Sequence, residues 1–129
     1  MLDSSALIAL VRGEPGSDLV QAALPASLIC AVNLFETMTK LIRQGGEPKL
    51  VERYLRGLSL EIVAWDEELA WESRDLCPLA WTHGISLADR ACLAAARHYR
   101  IPALTSDAVW KELEIGVEVA LFRQSKRRS

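Results

Sequence analysis

Short apolar runs alternate with segments of helical periodicity along the chain, and this pattern constrains the fold more than any other feature. Ser27–Ala31 (SLICA), Leu60–Val63, Ile101–Thr105 and Val117–Phe122 read as buried strands. The spacing between them predicts helices over Ala6–Val11, Ser17–Leu24, Asn33–Gln44, Pro48–Leu58 and Ser86–Tyr99. Asp66 and Asp107 are positioned to cap two shorter helices, the second reaching Leu113. Breakers fall between these segments: Gly13-Glu14-Pro15-Gly16, Pro25, Gly45-Gly46 and Pro78. Strands that alternate with helices imply a mostly parallel sheet covered on both faces. With 129 residues and no repeat or linker, the chain reads as one α/β domain over residues 1–123, followed by a basic tail over 124–129.

The first strand is the irregular one. Only Met1-Leu2 precede Asp3, which is short against the roughly 5–6 residues usual for a strand. Either this strand is truncated or the native start lies upstream of Met1.

Composition narrows the function classes. The formal net charge is −2, so bulk charge gives no support to nucleic-acid binding, although bound divalent ions or a local basic patch can reverse the sign of one surface. Cys30, Cys77 and Cys92 show neither CxxC nor Cys/His spacing, which argues against zinc and reads as three buried thiols in a reducing cytosol. No apolar run is long enough to span a bilayer and no signal segment is evident, so the expectation is a soluble cytoplasmic protein.

Four carboxylates sit where apolar runs give way to helix starts: Asp3 in LDSSALIAL, Glu36 in VNLFETMTK, Asp89 in ISLADRACLAAA and Asp107 in ALTSDAVW. The rim of a parallel sheet is where α/β proteins place ligands. Each acid also has a purely structural explanation. Asn33–Glu36 and Ser86–Asp89 have capping-box spacing, and Asp3 and Asp107 can cap the helices that follow them. Taken together, four acids flanked by apolar residues suggest one pocket built from distant parts of the chain. Like charges held that close call for a cation, and hard oxygen ligands point to Mg2+ or Mn2+. The hydroxyls of Ser5, Thr105 and Ser106 lie next to these acids, where they either cap backbone or orient a metal ligand.

The strings LDSSALIAL, AVNLFETMTKLI, GISLADRACLAAARHYRIPALTSD and GVEVALFR resemble the PIN domain, in particular the VapC-type toxin ribonucleases. The resemblance runs essentially end to end. It implies a three-layer α/β/α sandwich with a mostly parallel central sheet, a Mg2+ or Mn2+ site, and endonucleolytic RNA cleavage by metal-activated water. It makes Asp3, Glu36, Asp89 and Asp107 the catalytic set. Asp3 and Asp89 are the expected direct metal ligands, while Glu36 and Asp107 bind a second ion or act through water. It further implies a cognate antitoxin whose C-terminal segment blocks the acidic pocket, and a homodimer or a toxin–antitoxin hetero-oligomer.

The remaining polar residues are less specific. Lys40, Arg43 and Arg90 are the expected RNA contacts, with Lys49, Arg53, Arg56 and the tail Lys126-Arg127-Arg128 as further basic positions. The alternative for the helical ones is a solvated face balanced by Glu47 and Glu52. Trp65, Trp71, Trp81 and Trp110 are read mainly as core or interface rather than base-stacking residues. His83 and His98 lie outside the acidic strings, so a histidine-pair ribonuclease is disfavoured, and His98 suits a helix C-terminus. Two rival classes remain. A receiver domain or a haloacid-dehalogenase-type phosphatase fits badly, because Asp3 is followed by Ser4 and Ser5 rather than by the acids those folds need. A catalytically inactive PIN-like scaffold that binds RNA or a partner is the other.

Overall fold

The computed structural model describes residues 1–124. Its strands are β1 (Leu28–Cys30), β2 (Glu61–Val63), β3 (Ala103–Thr105) and β4 (Val119–Leu121). The α-helices are α1 (Ser4–Arg12), α2 (Ser17–Ala23), α3 (Ala31–Arg43), α4 (Pro48–Gly57), α5 (Glu67–Glu72), α6 (Leu79–Thr82) and α7 (Leu87–Tyr99). The expected phosphate-binding tail Lys126-Arg127-Arg128 lies outside the described residues.

The N-terminal segment joins two parallel strand pairs. β1 pairs with β2 and β3 with β4, both in parallel. Leu2 N–H donates to Leu28 O at 2.8 Å, Asp3 N–H donates to Leu104 O at 3.0 Å, and Leu104 N–H donates to Met1 O at 2.8 Å. The two residues before Asp3 therefore act as the central strand, because hydrogen bonds on both sides replace the length they lack. The sheet order is β2, β1, the N-terminal segment, β3, β4.

Side chains alternate across this sheet with the period of a strand. Met1, Cys30, Val63 and Ala103 point into one apolar cluster, with α5 and α7 above them. Leu2, Ile29 and Leu104 point into the other, beneath α1, α2 and α4. Helix α3 contributes Val32 to the first cluster and Leu34 and Met38 to the second. This is the three-layer α/β/α sandwich that the family resemblance implies, with the mostly parallel sheet expected from the alternation of strands and helices.

Several local expectations are corrected. Helix α3 begins at Ala31, directly after β1, with Cys30 at its cap position, so Asn33 is buried inside the helix and does not form a capping box with Glu36. The strands are three residues each, because the ends of the apolar runs pass straight into loops or helix starts. Cys77 is exposed, since it lies in the connection between α5 and α6 and not on a strand or core helix. On α4, the helical spacing of Leu50, Val51, Tyr54, Leu55 and Leu58 predicts one buried apolar face, but only Leu55 is buried, and Leu50 and Tyr54 are exposed. The cap expected from Asp66 is present, its Oδ1 accepting from Leu69 N–H at 2.9 Å. Helix α1 stops at Gly13, which takes the left-handed conformation (φ 63°) that ends a helix without a Cβ penalty.

Candidate metal centre

Asp3, Glu36 and Asp89 converge. Each offers a carboxylate oxygen, and these oxygens lie within 4.8 Å of one another. Asp3 comes from the end of the central strand, Glu36 from the second turn of α3 and Asp89 from the first turn of α7. The convergence follows from the topology, since a central strand places its C-terminal end between the helices that start at the same sheet edge.

Asp3 is the anchor. It is 3% exposed, and hydrogen bonds occupy both of its oxygens. Oδ1 accepts from Ser4 N–H at 2.8 Å. Oδ2 accepts from Ser5 Oγ at 2.7 Å and from Thr105 Oγ1 at 2.9 Å. Ser5 and Thr105 thus orient Asp3, as their position beside it suggests. Ser106 takes part through its backbone, its N–H donating to Ser5 Oγ at 3.3 Å. Ser4 is a further member of the site. Its hydroxyl donates to Glu36 Oε1 across 32 residues. The available signal was its place immediately after Asp3, where α1 turns its first side chain back over the strand end.

Asp89 and Asp107 also do what helix caps and first turns do. Asp89 N–H donates to Ser86 Oγ at 3.1 Å, and Asp107 Oδ1 accepts from Val109 N–H at 3.0 Å. Asp107 N–H in turn donates to Thr105 Oγ1 at 3.1 Å, which ties it to the hydroxyl that holds Asp3. Asp107 stands outside the group of three within 4.8 Å, but its charge still reaches Asp89.

Burial pushes the Asp3 carboxyl above its ordinary range, the Glu36 charge adds to that, and hydrogen bonds from Ser5, Thr105 and Ser4 oppose it. Burial likewise raises Asp89, to about 7, with the charges of Asp3, Glu36 and Asp107 adding to the effect against the Ser86 hydrogen bond. Lys40 Nζ is the nearby cation, 3.9 Å from Glu36 Oε1, and its side chain is half exposed. Three hard oxygen donors held this close form a donor set that suits a divalent ion.

The other expected functional residues sit elsewhere. Arg90 Nε donates to Ser86 O at 3.3 Å beside Asp89, and Arg43 is exposed on the last turn of α3. Arg56 pairs with Glu52 at 2.7 Å, and Glu47 caps α4, so that face of α4 is a balanced, solvated one. His98 Nδ1 contacts Glu72 Oε1 at 2.5 Å and His83 Nδ1 contacts Thr82 Oγ1 at 2.9 Å, both away from the acids. Trp110 is buried and Trp65 packs against the core, whereas Trp71 and Trp81 are exposed. No helix among the described residues is long and apolar enough to cross a membrane.

The family model for the PIN domain matches residues 1–116. The chain belongs to the PIN domain family. PIN domains are generally nucleases and typically use divalent metal ions, which agrees with the carboxylate cluster. No curated protein matches the chain. Solved PIN-like chains share its fold at low identity. A chain of DNA-bound VapBC from Salmonella typhimurium is 15% identical, with a TM-score of 0.74 over 95% of this chain and 97% of that one. A toxin–antitoxin complex from Klebsiella pneumoniae gives 21% identity and a TM-score of 0.69, over 95% of this chain and 97% of its own. VapBC2 from Rickettsia felis, bound to a promoter DNA fragment, gives 15% and 0.72, over 94% and 96%.

Proposed function

We propose that this PIN domain is a VapC-type toxin: an endoribonuclease dependent on Mg2+ or Mn2+ and restrained by a cognate antitoxin. The observation that carries the reading is the convergence of Asp3, Glu36 and Asp89 oxygens within 4.8 Å, with Asp89 raised to about 7 by burial and like charge. The fold shared with chains of VapBC complexes supports the toxin assignment.

Asp3 and Asp89 would hold the ion, with Glu36 completing the set. A divalent ion there would supply neutralisation of phosphate charge and a lowered pKa for attacking water. The protein's own residues supply position. Ser5 and Thr105 fix the oxygens of Asp3, Ser4 aims Glu36, and Asp107 adds negative potential from the far side of Thr105. Lys40, Arg43 and Arg90 offer the positive charge that RNA phosphates need near an otherwise acidic pocket.

Two surfaces support a partner. Phe35 and Leu87, each 70% exposed, flank Glu36 and Asp89 in sequence, and Trp71 and Trp81 are more open than an isolated small domain usually leaves tryptophan. A groove of about 520 Å3 runs between α3, α4 and β2, lined by Leu34, Met38, Ile42, Leu55, Leu60 and Ile62. We assign the groove to an apolar antitoxin segment and the Phe35–Leu87 surface to a second copy of the toxin.

The test is cleavage of total cellular RNA by antitoxin-free protein with Mg2+ or Mn2+, against EDTA. Metal-dependent cutting that leaves 5′-phosphate ends is the expected result. Fragments ending in 2′,3′-cyclic phosphate would contradict attack by water. Absence of metal-dependent cutting would favour the inactive scaffold.

A further inference from the structure

Three carboxylates within 4.8 Å repel one another, and two of them ride on separate helices. Something must keep α3 and α7 from splaying. Between these helices, Asn33 Nδ2 donates to the carbonyl oxygen of Ala88 at 3.0 Å. Asn33 is fully buried, lies three residues before Glu36 on α3, and meets the residue immediately before Asp89 on α7. The bond is therefore anchored one helical turn from one acid and one residue from the other. Thr37, also fully buried, donates its hydroxyl to Asn33 O at 2.7 Å on the same stretch of α3.

We infer that Asn33 is a positioning residue, which sets the spacing between Glu36 and Asp89 by tying α3 to the first turn of α7. This rests on the metal-dependent nuclease reading of the same site. The orientation of the amide is fixed by the contact, since the reversed amide would set two oxygens against each other. The tie also comes at a cost to stability. Asn33 Oδ1 is buried without a hydrogen-bond partner, an arrangement that packing alone would not favour over a similarly sized apolar residue. A leucine at this position would fill the space and bury no orphan oxygen. A residue that serves only packing would lose nothing on this substitution, whereas a positioning residue would lose metal affinity and activity without losing stability.

The experiment compares Asn33→Leu with the parent in three measurements: thermal unfolding in EDTA, Mn2+ titration of the folded protein, and RNA cleavage resolved into kcat and KM. The expected result is an unchanged or higher melting temperature, Mn2+ affinity weaker by about tenfold or more, and a lower kcat with KM little changed. Asn33→Ser is the companion variant. It keeps a hydroxyl donor and should recover part of the affinity, and it remains informative if leucine fails to fold. Mn2+ affinity and kcat within twofold of the parent in both variants would overturn the inference. Losses that merely track unfolding in EDTA would overturn it as well. A parent that neither binds Mn2+ nor cuts RNA would overturn the nuclease reading itself, and the positioning role with it.

Discussion

Asp89→Asn is expected to lower RNA cleavage by at least about a hundredfold while raising the melting temperature of the metal-free protein. The two effects have one cause. Asp89 is raised to about 7, by burial first and then by the charges of Asp3, Glu36 and Asp107. Removing its charge deprives a divalent ion of a ligand and relieves repulsion among the three carboxylates. The helix start should survive, because the Ser86 hydroxyl accepts from the backbone N–H of residue 89, a bond that asparagine keeps. A gain of roughly 5 °C is the scale for a stabilisation of one to two kcal/mol in a domain of this size. A variant that cuts RNA as well as the parent would reduce Asp89 to a first-turn residue of α7.

The metal-free protein should lose stability as pH rises from about 4 to 7, opposite to the usual behaviour of a paired carboxylate. A carboxyl whose folded pKa lies above its unfolded value binds its proton more tightly when folded. Its contribution is fully present below the unfolded value of 3.8 and is lost as pH rises through the folded value of about 7. The slope cannot exceed about 1.4 kcal/mol per pH unit for one proton, and solvent screening of this partly exposed group reduces it. Asp3 shifts in the same direction. Asp75 shifts the other way, held low by the Arg97 guanidinium, so its contribution is lost only as pH falls through a folded value below 3.8, outside this window. Urea unfolding in EDTA across pH 4–8, for the parent and for Asp89→Asn, isolates the effect as the difference between the two slopes. Saturating Mn2+ should abolish it, since the ion favours the ionised carboxylates. Equal slopes for parent and variant in EDTA would contradict the electrostatic account.

Much of this site was legible before any coordinates, and for a physical reason. Strand-to-helix junctions carry strong local signals, and an acid such as Asp3 or Asp107 at such a junction is placed at the sheet rim by topology alone. The failures occurred where a local pattern has two meanings. Asn33-Leu34-Phe35-Glu36 has the spacing of a capping box, yet α3 starts earlier, so Asn33 became a buried link between helices. Capping depends on where a helix starts, and Cys30 passing directly from β1 into α3 left no sequence mark of that start. The N-terminal segment misled in the other direction. Two residues looked too few for a strand, because the hydrogen bonds that Leu2 and Asp3 make to Leu28 and Leu104 are long-range and invisible in a local window. Ser4 was missed as a partner of Glu36 for the same reason.

Under the proposed function, Asp3, Glu36 and Asp89 hold the divalent ion on which cleavage depends. The most direct test is a crystal soaked in Mn2+, with data collected where manganese scatters anomalously. An anomalous peak within about 2.0–2.4 Å of oxygens from Asp3 and Asp89, with Glu36 adjoining, is the predicted result. A Mn2+-saturated crystal of protein that cuts RNA, with no peak among these three carboxylates, would contradict it.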